Sequence, residues 1–201
     1  MQTPYTLLSR QRGAALFVTL CIVMMLMMMG MSAVRGALNA ERSSRGDRDR
    51  QIALQSAEAA LEDAERDIEG GSNPGSPRAV MFAAGSSEGF VQGCGASGVN
   101  AGLCLRMPEP AAPAWQTTAL AGGDGRSVPF GQFTGASMPS GGAALPARPP
   151  RYVIELMPYA AAGHDAGTRT GNFYRITAIG FGASDTTVVV LQSYYLKREL
   201  A

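Results

Sequence analysis

Charge is scarce in this chain. Of 201 residues only 16% are Asp, Glu, Lys or Arg, and they sum to +1 at pH 7. No bulk electrostatic attraction to nucleic acid or to an anionic surface follows from that balance. Histidine is scarcer still. The single one, His164, sits in a turn-like Gly-His-Asp-Ala-Gly setting with no Gly-x-Ser-x-Gly nucleophile context, and reads as a surface-loop residue. Cysteine is limited to three positions, of which Cys94 and Cys104 have no neighbouring His or third Cys to complete a zinc set. The carboxylates Glu58, Glu62, Asp63, Glu65, Asp67 and Glu69 read as a solvated helix face, since calcium needs a loop geometry that a helix lacks. Gly93 to Gly98 spells GxGxxG, but no strand precedes it and no helix follows, so it is a chance match in a Gly-rich tract. These absences leave no expected active site, no metal and no cofactor, and exclude nucleic acid as a partner.

What the chain does have is one long apolar run. No charged residue lies between Arg12 and Arg35, a gap of 35 − 12 − 1 = 22 positions. About 20 residues suffice for a helix to cross a bilayer. A secretory signal has a shorter apolar core of roughly 7–15 residues and a small-x-small cleavage site. The run therefore reads as a retained membrane helix over residues 14–34, preceded by a short basic leader, residues 1–13. Six of the eleven methionines fall inside it, at Met24, Met25, Met27, Met28, Met29 and Met31, where flexible thioethers face lipid or neighbouring helices. Cys21 is a small apolar residue of the same run.

Residues 35–69 continue as an amphipathic helix. Leu54, Ala57, Leu61, Ala64 and Ile68 are spaced 3, 4, 3, 4 and form an apolar stripe expected to pack on a sheet. Ala53, Ala57, Ala60 and Ala64 would let a neighbour approach closely. Gly70-Gly71 and Asn73-Pro74-Gly75 stop the helix. Its weak point is Arg42 to Arg50, where Ser43, Ser44 and Gly46 are poor helix formers and a bend or local melting is expected.

Residues 70–150 hold 16 Gly and 10 Pro and read as an irregular, partly mobile connector, tethered by Phe82, Phe90, Trp115, Phe130 and Phe133. Outside the cytoplasm, Cys94 and Cys104 would be expected to join as a disulfide. Closing a loop of that length stabilises by roughly 2.5–3 kcal/mol. Residues 151–201 contain three strand-like runs, 151–157, 172–181 and 186–196, giving a small antiparallel meander with one face to be covered by the helix. The expected fold is α+β, a long N-terminal helix packed on a small C-terminal antiparallel sheet.

The order of basic leader, Gly, apolar run, amphipathic continuation and C-terminal sheet resembles type IV pilins and the pseudopilins of type II secretion. Gln11-Arg-Gly-Ala-Ala-Leu16, then Arg48 to Glu65, and the C-terminal Tyr174-Arg-Ile-Thr-Ala-Ile-Gly-Phe-Gly182 with Val190-Leu-Gln-Ser-Tyr194 resemble PilX-type minor pilins of the type IV pilus system. That resemblance implies cleavage by prepilin peptidase after Gly13 and N-methylation of Ala14. It also implies a single pass through the inner membrane with a periplasmic C-terminal domain. Partners would be other minor pilins, the major pilin and a tip adhesin, with the protein itself at the pilus tip. Two positions depart from the pilin pattern: Ala14 replaces the usual Phe, and Val18 stands where most pilins carry Glu. A tip-type minor pseudopilin of type II secretion is the neighbouring alternative; a membrane-anchored periplasmic enzyme or sensor is the more distant one. Arginine counting alone would reverse the orientation, because Arg35, Arg42, Arg45, Arg48 and Arg50 follow the run while Arg10 and Arg12 precede it.

Overall fold

A computed structural model describes residues 14–83, 86–142, 144–157 and 172–197 of the chain. Its elements in order are α1 (Ala14–Ile68), α2 (Pro77–Met81), a 3-10 turn (Gly98–Asn100), β1 (Leu103–Leu105), α3 (Ala114–Thr117), β2 (Val128–Pro129), β3 (Arg151–Met157), β4 (Asn172–Phe181) and β5 (Val188–Lys197). The chain divides into two compact units, Met1–Gly46 and Asp47–Ala201. Among the described residues, the first unit is helix alone. The local melting expected between Arg42 and Arg50 does not occur, since α1 is assigned as helix through that stretch.

In the second unit a five-stranded sheet runs in the order β1-β3-β4-β5, with β2 also paired to β3. β3, β4 and β5 form the antiparallel meander, in a register that sets Ile154 beside Ile176 and Ile176 beside Ser193. The meander is not the whole sheet. β1 pairs parallel to β3 and β2 antiparallel to it, and both come from the connector, so the sheet is mixed. Three- and two-residue strands carry no period-2 signal long enough to read in a Gly-rich segment.

Alternation along the strands splits the core into two layers. Tyr152, Ile154, Leu156, Tyr174, Ile176 and Ala178 lie with Ala60, Ala64 and Ile68 of α1. Val153, Ile179 and Phe181 point the other way, onto Cys94, Cys104, Ala114 and Leu120. Both faces of the sheet centre are therefore covered, one by the helix together with Phe82 and Phe90 of the connector, the other by the connector alone. The connector is structural here, and its described part is built into the sheet.

Helix and sheet meet at unusually short range. A Cβ placed on Gly180 would overlap the Ala53 carbonyl oxygen and the Ala57 nitrogen, and would lie 2.9 Å from the Ala57 Cα. Ala53, Ala57, Ala60, Ala64 and Ile68 are fully buried. This corrects the expected stripe at one end. Leu54 is 37% exposed, and Leu61 is only partly buried at the edge of the core. With backbone against backbone at Gly180 there is no space for a leucine, so the buried face turns toward the alanines.

The acidic face needs a larger correction. Asp63 and Asp67 are buried, not solvated. Arg78 of α2 donates from Nε to both Asp67 oxygens at 3.0 Å and from Nη2 to Oδ2 at 2.6 Å. Its Nη1 donates to the carbonyls of Val99 at 2.6 Å and Ala101 at 2.8 Å, and its plane stacks 3.8 Å from the centre of the Phe133 ring. Tyr152 Oη on β3 donates to Asp67 Oδ2 at 3.0 Å, and burial together with the Asp67 charge pushes its phenol well above the ordinary value. One turn earlier, Asp63 accepts from the Gly131 amide at 2.7 Å and from the Thr134 hydroxyl. Removing one partner from a buried pair of this kind costs about 3–5 kcal/mol, because the other charge is left uncompensated.

Gly180→Ala should lower the unfolding free energy of the full chain in detergent by about 1–3 kcal/mol, the usual cost of overpacking. Leu54→Ala, at a position 37% exposed and off the tight contact, should cost less, about 1 kcal/mol or below. Denaturant titrations followed by Trp115 fluorescence check both, and equal losses would mean that the helix does not approach the sheet at Gly180.

Candidate assembly interface

Among the described residues, the exposed large apolar side chains concentrate in the first part of α1. Leu16, Phe17, Met24, Met25, Leu26, Met27, Met28, Met29 and Val34 are each more than half exposed, as is Val18 at 52%. Apolar exposure on this scale marks a surface made for lipid or for other helices. Among the described residues α1 is the one helix long and apolar enough to cross a membrane. Thr19 keeps its hydroxyl satisfied inside the helix, donating to the Leu16 carbonyl at 2.9 Å, as a membrane interior requires. Cys21 is half-buried and free.

Ala14 is the first residue of α1 and is exposed, whereas Gly13 lies outside the described residues. Val18 projects from the first turns with no charged group near it in sequence. His164 is also outside the described residues, and among those described no group of three or more His, Cys, Asp or Glu could hold a metal ion.

Cys94 and Cys104 form a disulfide across ten positions of sequence, with their Cα atoms 4.0 Å apart. It lies in the second core layer and fastens the Gly-rich turn to β1, which carries Cys104.

Two clamps secure the helix to the sheet unit. Where α1 enters the second unit, Asp49 Oδ1 accepts from the Ser184 amide at 3.1 Å in the turn before β5. The Thr187 side chain, with the Ser184 and Ala183 amides, holds the Asp49 carboxyl below its ordinary value. At the far end, Lys197 Nζ donates to the Ile68 carbonyl at 2.7 Å and Tyr195 Oη donates to Glu69 Oε1 at 2.6 Å. That hydrogen bond, with burial and the Glu69 charge, pushes the Tyr195 phenol up to about 12. The sequence spacing of Glu69 and Tyr195 gave no sign of this pairing.

Two family models match the chain. Residues 82–197 match the C-terminal region of the type IV pilus assembly protein PilX, and residues 12–62 match the PilX N-terminal region. The first alone covers 197 − 82 + 1 = 116 of the 201 residues. The chain belongs to the PilX family. Members of this family are structural components of type IV pilus assembly, and the apolar part of α1 is long and apolar enough to serve as a membrane anchor for one. No curated protein and no solved structure gives a significant match.

The clamps predict an acid and an alkaline limit of opposite origin. A depressed carboxyl contributes above the unfolded Asp value of 3.8, and that contribution is lost as pH falls through the folded value. A raised phenol contributes fully below the unfolded Tyr value of 10.0 and is lost as pH rises toward about 12. Melting temperature should therefore fall between those two alkaline values, and Tyr195→Phe should flatten part of that fall while leaving the acid limb unchanged. An unaltered alkaline limb in the variant would remove Tyr195 as the responsible group.

Proposed function

We propose that this PilX-family protein is a minor pilin acting in the priming or tip complex of a type IV pilus, together with other minor pilins. The observation that carries the proposal is Val18, the fifth residue after Gly13, in a run with no acidic residue. In pilins the usual Glu at that place is thought to pair with the free N-terminal amine of the subunit above. An acidic side chain at mid-bilayer costs about 2.5–3.5 kcal/mol on insertion scales, so it is retained only where a partner compensates it. A subunit with valine there makes no such pair, and needs none if no subunit sits above it.

On this proposal prepilin peptidase cleaves after Gly13 and Ala14 becomes the methylated N-terminus. The mature chain then spans the inner membrane once, with Asp47–Ala201 in the periplasm, where the Cys94–Cys104 disulfide is chemically at home. From that position it would contact the major pilin below and a tip adhesin above.

Intact-mass measurement of the membrane-extracted protein should show residues 1–13 missing and Ala14 methylated; a chain retaining Met1 would count against membership of the processed pilins. Labelled protein should lie at the ends of sheared pili, and Val18→Glu should spread it along the shaft. Even labelling of the shaft by the unaltered protein would sink the tip assignment.

A further inference from the structure

The arginines that follow the apolar run are left unexplained by a role in fibre assembly. Between Arg35 and Arg50 stand five arginines against Glu41, Asp47 and Asp49. Two of those acids are engaged: Glu41 pairs with Arg45 at 2.5 Å, and Asp49 accepts from the Ser184 amide. Within the first unit, Arg35 and Arg42 are exposed and form no ion pair among the described residues. A periplasmic position makes them more costly, because basic residues beside a membrane helix favour the cytoplasmic side.

Their placement along the helix matches the headgroup layer. Arg35 immediately follows Val34, the last residue of the apolar run. Arg42 lies seven residues further, about 10 Å along the axis at 1.5 Å per residue. The polar layer of one leaflet is about 5–7 Å deep. Side chains on a helix lean back toward its N-terminus. Arg45 does so here, reaching Glu41 one turn before it. In α1 the N-terminus is the membrane end, so a side chain at Arg42 is directed down toward the bilayer, while Arg35 starts at its surface. A guanidinium offers two parallel donors that fit the oxygens of a phosphodiester.

We propose that Arg35 and Arg42 form a docking surface for anionic phospholipid headgroups in the leaflet facing the Asp47–Ala201 unit. The site holds the subunit at fixed depth in the bilayer and opposes its extraction until other helices replace the lipid. This rests on α1 entering the membrane from its N-terminal half, and it holds whether or not the protein resides at a pilus tip.

The test uses the full chain in mild detergent micelles containing equal parts of zwitterionic phosphatidylcholine and anionic phosphatidylglycerol, with copurifying lipid measured by mass spectrometry. The unaltered protein should retain phosphatidylglycerol in excess. Each arginine near an anionic surface is worth roughly fivefold in partition. R35Q/R42Q should therefore lower the enrichment by about 25-fold, whereas the charge-matched R106Q/R126Q, altered on the connector, should leave it unchanged. Equal enrichment in R35Q/R42Q overturns the proposal, and so does an equal loss in R106Q/R126Q, which would make the effect one of total charge. Inorganic phosphate that displaces the lipid more effectively than chloride of the same ionic strength would assign the site to free phosphate and overturn the headgroup assignment. Recovery of the chain from cells in the soluble fraction would overturn the membrane anchor and this proposal together; recovery with membranes but without enrichment overturns this proposal alone.

Discussion

The second unit depends on a buried charge. Asp67 brings three separate parts of the chain to one point: α1 that carries it, the connector through Arg78, and β3 through the Tyr152 hydroxyl. Arg78 passes the connection on to the carbonyls of Val99 and Ala101, just before β1 joins the sheet. A network like this is stabilising only when every member is satisfied, because each group has given up water. It is directional in a way that apolar contact is not. Alanines can slide along a sheet; a carboxylate held by a bidentate guanidinium and a phenol has one position. The network thus sets the register of helix against sheet, and Asp63, one turn earlier on the same face, sets the connector around Gly131 and Thr134.

The short helix-to-sheet distance follows from the same arrangement. Gly180 and the alanine face admit backbone contact, which buries little area per residue but leaves no void. Small residues contribute little hydrophobic free energy. Polar anchoring and the disulfide supply what a leucine-rich interface would otherwise provide, and this suits a chain with so much glycine and proline between its helix and its last three strands. The connector covers the second face of the sheet through Cys94, Cys104, Ala114 and Leu120, so the core is closed by residues with no regular pattern.

This division explains what was legible in the sequence. The apolar run, the helix to Ile68 and the three long strands are periodic or uniform, and periodicity is what a single chain displays. β4 in particular alternates clearly, with Tyr174, Ile176 and Ala178 on one face. The polar core was not legible. Asp63 and Asp67 lie among Glu58, Glu62, Glu65 and Glu69, and nothing local separates a carboxylate facing water from one awaiting an arginine eleven residues later. The one available sign was length: the two buried acids are aspartates, short enough to bond at the helix surface, while the four glutamates are longer. Leu54 misled for the converse reason. A 3-4 spacing identifies a face to within about one residue per turn, and the identity of the opposing surface, here the bare backbone of Gly180, decides which residue turns inward.

The apolar part of α1 obeys different physics from the rest. In water its exposed leucines and methionines would drive association by themselves, but against lipid tails they gain nothing, since the tails are equally apolar. On the proposed role, exchange of lipid for other pilus helices would have to be driven by close packing, by polar contacts and by the changes at the two ends of the run. A methionine-rich surface is adaptable, so it fits several neighbours moderately well and selects among them poorly. Selection must then come from positions where a wrong neighbour is costly. Within the run the position so placed is Val18, where an unpaired acid would be costly and a valine is neutral. Beyond it, the Asp47–Ala201 unit exposes Val188, Val190 and Tyr194 along its edge strand β5. On the proposed role, Val18 in the anchor and the exposed β5 edge in the head are the two places where one neighbour would be told from another.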